Sequence, residues 1–177
     1  MIQLYAFLWG MIILFALVGF VRGWTKEIIA LTGVVLALFT LEQFKDVFLL
    51  PLTEGAEPAQ QFYLYGGILL LITFFAYQTP ERFEKRASSR SRRVRESFQE
   101  SLLGAMIGGF NGYLVFGSLW YYMRVLDYPL APDIPPPLAG TISATMQNQL
   151  PLDWLLEGNL LTLLLVVLFL FVIIVLI

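Results

Sequence analysis

The sequence predicts an all-α protein, a polytopic bundle of about five transmembrane helices with a basic amphipathic segment on the cytoplasmic side. Composition is the first reason. Of 177 residues, 58% are apolar and 14% charged, against about 45–50% and about 25% in soluble domains. Mean hydropathy is +0.75, more apolar surface than a soluble globule of this size can hide. Charge placement is the second. Charges are absent from Met1–Val21, Pro58–Pro80, Ser101–Met123 and Gly158–Ile177, and about 20 apolar residues cross a ~30 Å hydrocarbon core as a helix. The third is that these runs lack the apolar–polar alternation of an outer-membrane strand. Backbone groups in lipid must then be satisfied within helices.

The first span lies near 2–21. It does not read as a signal peptide, because it has no basic start, too long an apolar run and no A-x-A site. The second lies near 25–44, with Lys26 and Glu27 at its start and Glu42, Lys45 and Asp46 at its far headgroups. The spacing allows a helical contact between Glu42 and Lys45. The third lies near 62–78. A hydrophilic segment, 79–101, follows it. Phe83, Ala87, Val94 and Phe98 share one helical face there, and Arg82, Lys85, Arg86, Arg90, Arg92, Arg93 and Arg95 supply positive charge. Such a helix can rest on anionic headgroups or meet a protein partner. No base-reading module accompanies it, so nucleic acid is not an expected partner.

The fourth span, near 102–123, repeats Gly104, Gly108 and Gly112 every four residues. That places them on one face, where another helix can approach closely, within the chain or from a second copy. Asn111 lies near the middle of this span. A midplane amide seeks a partner or lines a polar path; Thr32, Thr73, Gln78 and Ser118 are the candidates by type. An outer loop, 124–156, begins with Pro129, Pro132 and Pro135–Pro137 and reads as a semi-rigid strap. The fifth span lies near 157–177. The whole chain, 1–177, forms one integral-membrane domain.

The loops fix an orientation. Arg22, Lys26 and the seven basic residues of the hydrophilic segment fall on one side, and Lys45 and Arg124 on the other. The basic side is expected to be cytoplasmic, which puts the N-terminus outside and the C-terminus inside. Trp24 marks the inner boundary. Tyr63, Tyr65, Trp120, Tyr121, Tyr122 and Trp154 suit an outer aromatic belt.

The chain has no cysteine and no histidine. This removes disulfides, thiolate chemistry and the commonest general base and metal ligand. No phosphate loop or H-E-x-x-H is present. No catalytic, cofactor or metal site is expected. An enzymatic reading would need an acid drawn into the membrane, such as Glu27 or Glu42.

Between the first two spans stands Gly19-Phe20-Val21-Arg22-Gly23-Trp24-Thr25-Lys26-Glu27. Gly23 can open a tight turn, and Glu27 favours the N-terminus of the next helix. An Arg22–Glu27 ion pair across that turn is expected. The Arg-Gly pair followed by Glu resembles the colicin V production protein family, and so does Leu103-Gly104 followed by Gly108 and Gly112. The resemblance covers roughly residues 1–123. It implies a small bacterial inner-membrane protein linked to peptide-toxin production or export. The family commonly has an acid opening the first helix, where Gln3, Leu4 and Tyr5 stand, and about four spans rather than five. The reading is a non-enzymatic membrane factor acting through helix-mediated partners, or as a homo-oligomer. The alternative is a small channel or transporter with Asn111 lining its path.

Overall fold

A computed structural model describes residues 3–78 and 94–176. The described residues are helical, with no strand, and five helices are long and apolar enough to cross a membrane. They are α1 (Leu4–Arg22), α2 (Trp24–Gln43), α3 (Pro58–Tyr77), α4 (Val94–Val125) and, at the C-terminal end, α7 (Leu160–Leu176). Two short helices, α5 (Ile142–Met146) and α6 (Pro151–Leu155), precede α7.

The boundaries have local causes. Gly23 takes φ +81° between α1 and α2, a conformation that glycine adopts without a Cβ penalty. The second span stops at Gln43, because Phe44 leaves helical geometry (φ −102°, ψ 8°). A π-helical turn, Lys45–Leu49, and the turn Leu50–Leu52 follow. This break separates Glu42 from Lys45, and Glu42 accepts from the Tyr122 hydroxyl instead (2.9 Å). The third helix starts earlier than its apolar run, at Pro58. Proline suits the first helical position, and Glu57 and Gln60 close a capping box. Their polar groups satisfy amides that the helix start leaves open.

α1 and α4 pack antiparallel along the small-residue face. A Cβ on Gly104 would strike the Gly19 carbonyl, one on Gly108 the Phe15 carbonyl, and one on Gly112 the Met11 carbonyl and Phe15. The glycine repeat is therefore filled within the chain. Phe7 against Phe116 extends the contact by one turn (5.8 Å between rings). On the other side of α4 lies α3, with Tyr65 edge-on to Tyr122 (5.5 Å). α2 sits inside the bundle: Ala30, Val34, Val35, Ala37 and Leu38 are fully buried. α7 covers α2 through Leu161 and Leu168 and leaves Leu163, Val166, Val167, Leu170 and Ile174 outward, where an apolar surface suits lipid.

The expected strap is a folded cap. Pro151 packs over Gly117, and Leu150, Leu152 and Leu155 are buried. Arg124 holds the cap by a bidentate pair with Asp153 and a bond to the Gln147 carbonyl. The Tyr113 hydroxyl donates to the Gln149 carbonyl (2.7 Å). Tyr128 donates to Gln147 (2.9 Å); burial pushes its phenol up, so it remains a donor. The aromatic belt is correspondingly thinner than expected. Tyr65, Trp120 and Tyr122 are buried in the core, while Tyr63 and Trp154 remain outward.

Candidate functional site

The polar centre of the bundle is Glu27. It lies in the first turn of α2, where the helix dipole favours negative charge. Its side chain has no exposed surface. A carboxylate in such a place needs full compensation, and three other elements provide it. Arg22, the last residue of α1, is swung back by the Gly23 turn and pairs with Oε1 at 2.6 Å. The Tyr77 hydroxyl, at the end of α3, donates to Oε2 (3.0 Å). Asn111 Nδ2, from α4, donates to Oε2 (3.0 Å) and to the Glu27 main-chain carbonyl (3.2 Å). Both acceptors are oxygens, which sets the nitrogen of the amide towards Glu27.

Arg22 is itself fixed. Its second terminal nitrogen donates to the Tyr77 carbonyl (3.0 Å), and its guanidinium lies 4.4 Å from the centre of the Tyr77 ring. One charged pair thus ties α1, α2, α3 and α4 together. Charge-assisted bonds of this kind are stronger than neutral ones.

The expected Arg22–Glu27 pair is present. The partner of Asn111 differs from every candidate read by residue type: it is Glu27, not Thr32, Thr73, Gln78 or Ser118. Packing of α3 and α4 draws Glu27 inside the bundle, so a charged side chain is fully buried there. Gly104, Gly108 and Gly112 lie on the neighbouring face of α4, against α1, and Gly104 also abuts Gly23 of the turn. The basic residues Arg82, Lys85, Arg86, Arg90, Arg92 and Arg93 lie outside the described residues, as does the side chain of Arg95. Tyr77 was not legible as a site residue. Its only sequence signal is a phenol near the end of a charge-free run, shortly before the basic segment.

Oε2 receives two donors and Oε1 a charged one, but the amide oxygen of Asn111 finds no partner. Thr73 Oγ1 and Ser118 Oγ are likewise buried without one. Among the described residues, no group of three His, Cys, Asp or Glu is placed to hold a metal. The chemistry available is hydrogen bonding, ion pairing and proton exchange at one carboxylate.

The family model described as Colicin V production protein matches residues 6–134, a segment that includes Arg22, Glu27, Tyr77 and Asn111. No curated protein and no solved structure matches the chain.

Proposed function

The chain belongs to the colicin V production protein family, and from that premise we propose a non-enzymatic factor of the bacterial inner membrane. It supports toxin production or export, or envelope function, through contacts with other membrane proteins. Its N-terminus is outside and its C-terminus cytoplasmic, so the Glu27 cluster lies in the inner half of the membrane. The observation that carries this reading is the commitment of Glu27. Both carboxylate oxygens are engaged by Arg22, Tyr77 and Asn111, which suits a group that locks helices rather than one that attacks a substrate. With the glycine face filled by α1, partner contacts fall to the outward faces and to the basic segment, which also meets anionic headgroups. The test is toxin secretion by a producing strain that lacks the chain. Wild type is expected to restore secretion, and Glu27→Gln to fail at equal membrane abundance. Secretion indifferent to the chain would overturn the reading.

One observation favours a second reading, a small conduit along the interior of the bundle. The unpartnered Asn111 oxygen, fully buried beside a carboxylate, marks where a polar solute could be held. This reading expects solute leakage from liposomes, reduced in Asn111→Leu.

A further inference from the structure

We propose that the interior between α2, α3 and α4 is a hydrated proton path. Glu27 is its proton-binding carboxylate, and water at the Asn111, Thr73 and Ser118 oxygens leads from it towards Glu42. The proposal rests on the conduit reading and names the permeant species.

The register of the helices lines these groups up. At one end, Tyr77 of α3 and Asn111 of α4 share Glu27 Oε2. At the other, Tyr65 of α3 meets Tyr122 of α4, and Tyr122 donates to Glu42. Between the ends, Thr73 lies one turn from Tyr77 on the same face of α3. Ser118 lies two turns from Asn111 on the same face of α4. Glu27 and Glu42 are both on α2, roughly 22 Å apart at 1.5 Å per residue.

All three intervening oxygens are buried, with Asn111 and Ser118 at 0% and Thr73 at 6% exposure, and none has a partner among the described residues. Buried polar atoms are rarely left unpaired, and ordered water is the usual partner where protein supplies none. Three such atoms staged along one interior are better explained by a file of water than by separate unpaired sites. Leu69 and Leu114 lie one turn from Thr73 and Ser118 on their helices, and both are fully buried, as is Leu38 of α2. The path is therefore narrow, and suits proton exchange along hydrogen bonds rather than passage of a hydrated ion.

The charged and titratable groups facing Glu27 are Arg22 from α1 and Tyr77 from α3, with Asn111 the polar group from α4 and Lys26 adjacent on α2. A proton arriving from the Glu42 side takes the place of the Asn111 N–H at Glu27 Oε2 and neutralises the carboxylate, which loosens its hold on Arg22. Release of that proton at the Gly23 end restores the ion pair. One proton enters and one leaves, driven by the membrane potential.

The experiment uses the full chain in liposomes that trap a pH-sensitive dye, with a potassium diffusion potential set by valinomycin. Wild type is expected to acidify the interior faster than protein-free vesicles, and Glu27→Gln to return the rate to the protein-free level. A Thr73→Val, Ser118→Ala variant guards against misfolding at Glu27. It should keep its thermal unfolding temperature and lose acidification rate. If it instead gains stability and conducts as wild type does, the oxygens are dry and the proposal is overturned. Solute leakage without proton flux would overturn this proposal and leave the conduit reading standing. Absence of both from folded protein would overturn the two together.

Discussion

Glu27 concentrates the energetic risk of this molecule in one side chain. Removing one partner of a buried ion pair leaves the other charge uncompensated, at a cost of roughly 3–5 kcal/mol. Glu27→Ala is therefore expected to lower the unfolding temperature in detergent sharply and to reduce membrane abundance. The double variant Arg22→Met, Glu27→Met should recover most of that loss, because an apolar pair of similar volume is often neutral. A double variant as unstable as the single one would show that the charge was not the cause. The sequence made half of this site legible. Arg22, Gly23 and Glu27 are neighbours, and a glycine turn brings them together. Tyr77 and Asn111 come from 50 and 84 residues away, and no local pattern couples them to Glu27. Burial of Glu27 is a tertiary effect, which is why it reads in sequence as an ordinary charge near a helix start.

The helices α1 and α4 meet through backbone, and adjacent glycines on α4 differ in consequence. A Cβ on Gly108 would collide with the Phe15 carbonyl, whereas one on Gly109 would sit 3.5 Å from the Ala16 methyl, an ordinary contact. Gly108→Ala should destabilise by forcing α1 away from α4. Gly109→Ala should be neutral or stabilise by up to about 1 kcal/mol through reduced backbone entropy. Thermal unfolding of the two variants side by side checks this; equal behaviour would argue against close backbone packing. The period-four repeat revealed the seam, but not its occupant. On α1, only Gly19 matches it in size, and the remaining contacts use carbonyls of Met11 and Phe15, which leave no mark in a residue string. The cap was missed for a related reason. α5 and α6 are five residues each, too short to carry a helical period, and prolines dominate the run before them.

At the scale of the whole molecule, the five spans were legible because lipid imposes length and apolarity on each. What sequence left to the structure was their arrangement, with α2 central and α7 outermost. The direction of the bundle remains checkable by chemistry. The chain has no cysteine, so a single introduced one reports without background. Glu54→Cys and Asp133→Cys, both exposed positions, are expected to react with a membrane-impermeant maleimide in intact spheroplasts. Ser88→Cys, in the basic segment, should react only after permeabilisation. The opposite pattern would reverse the orientation.

The distance along the chain between Glu27 and its last partner also has a cost in time. Asn111 follows Glu27 by 84 residues, and at roughly 5–20 residues per second a ribosome needs roughly 4–17 s to reach it. Until Tyr77 is made the nascent hairpin holds an acid that only Arg22 answers, and until Asn111 is made one donor to Oε2 is still missing. The seam that α1 will fill has not yet been made. Biogenesis, not the finished fold, is then the vulnerable stage. A pause in translation before Asn111 would hand quality-control proteases an unlocked hairpin, and pulse-labelled chains stalled there should be degraded faster than chains stalled after Gly112.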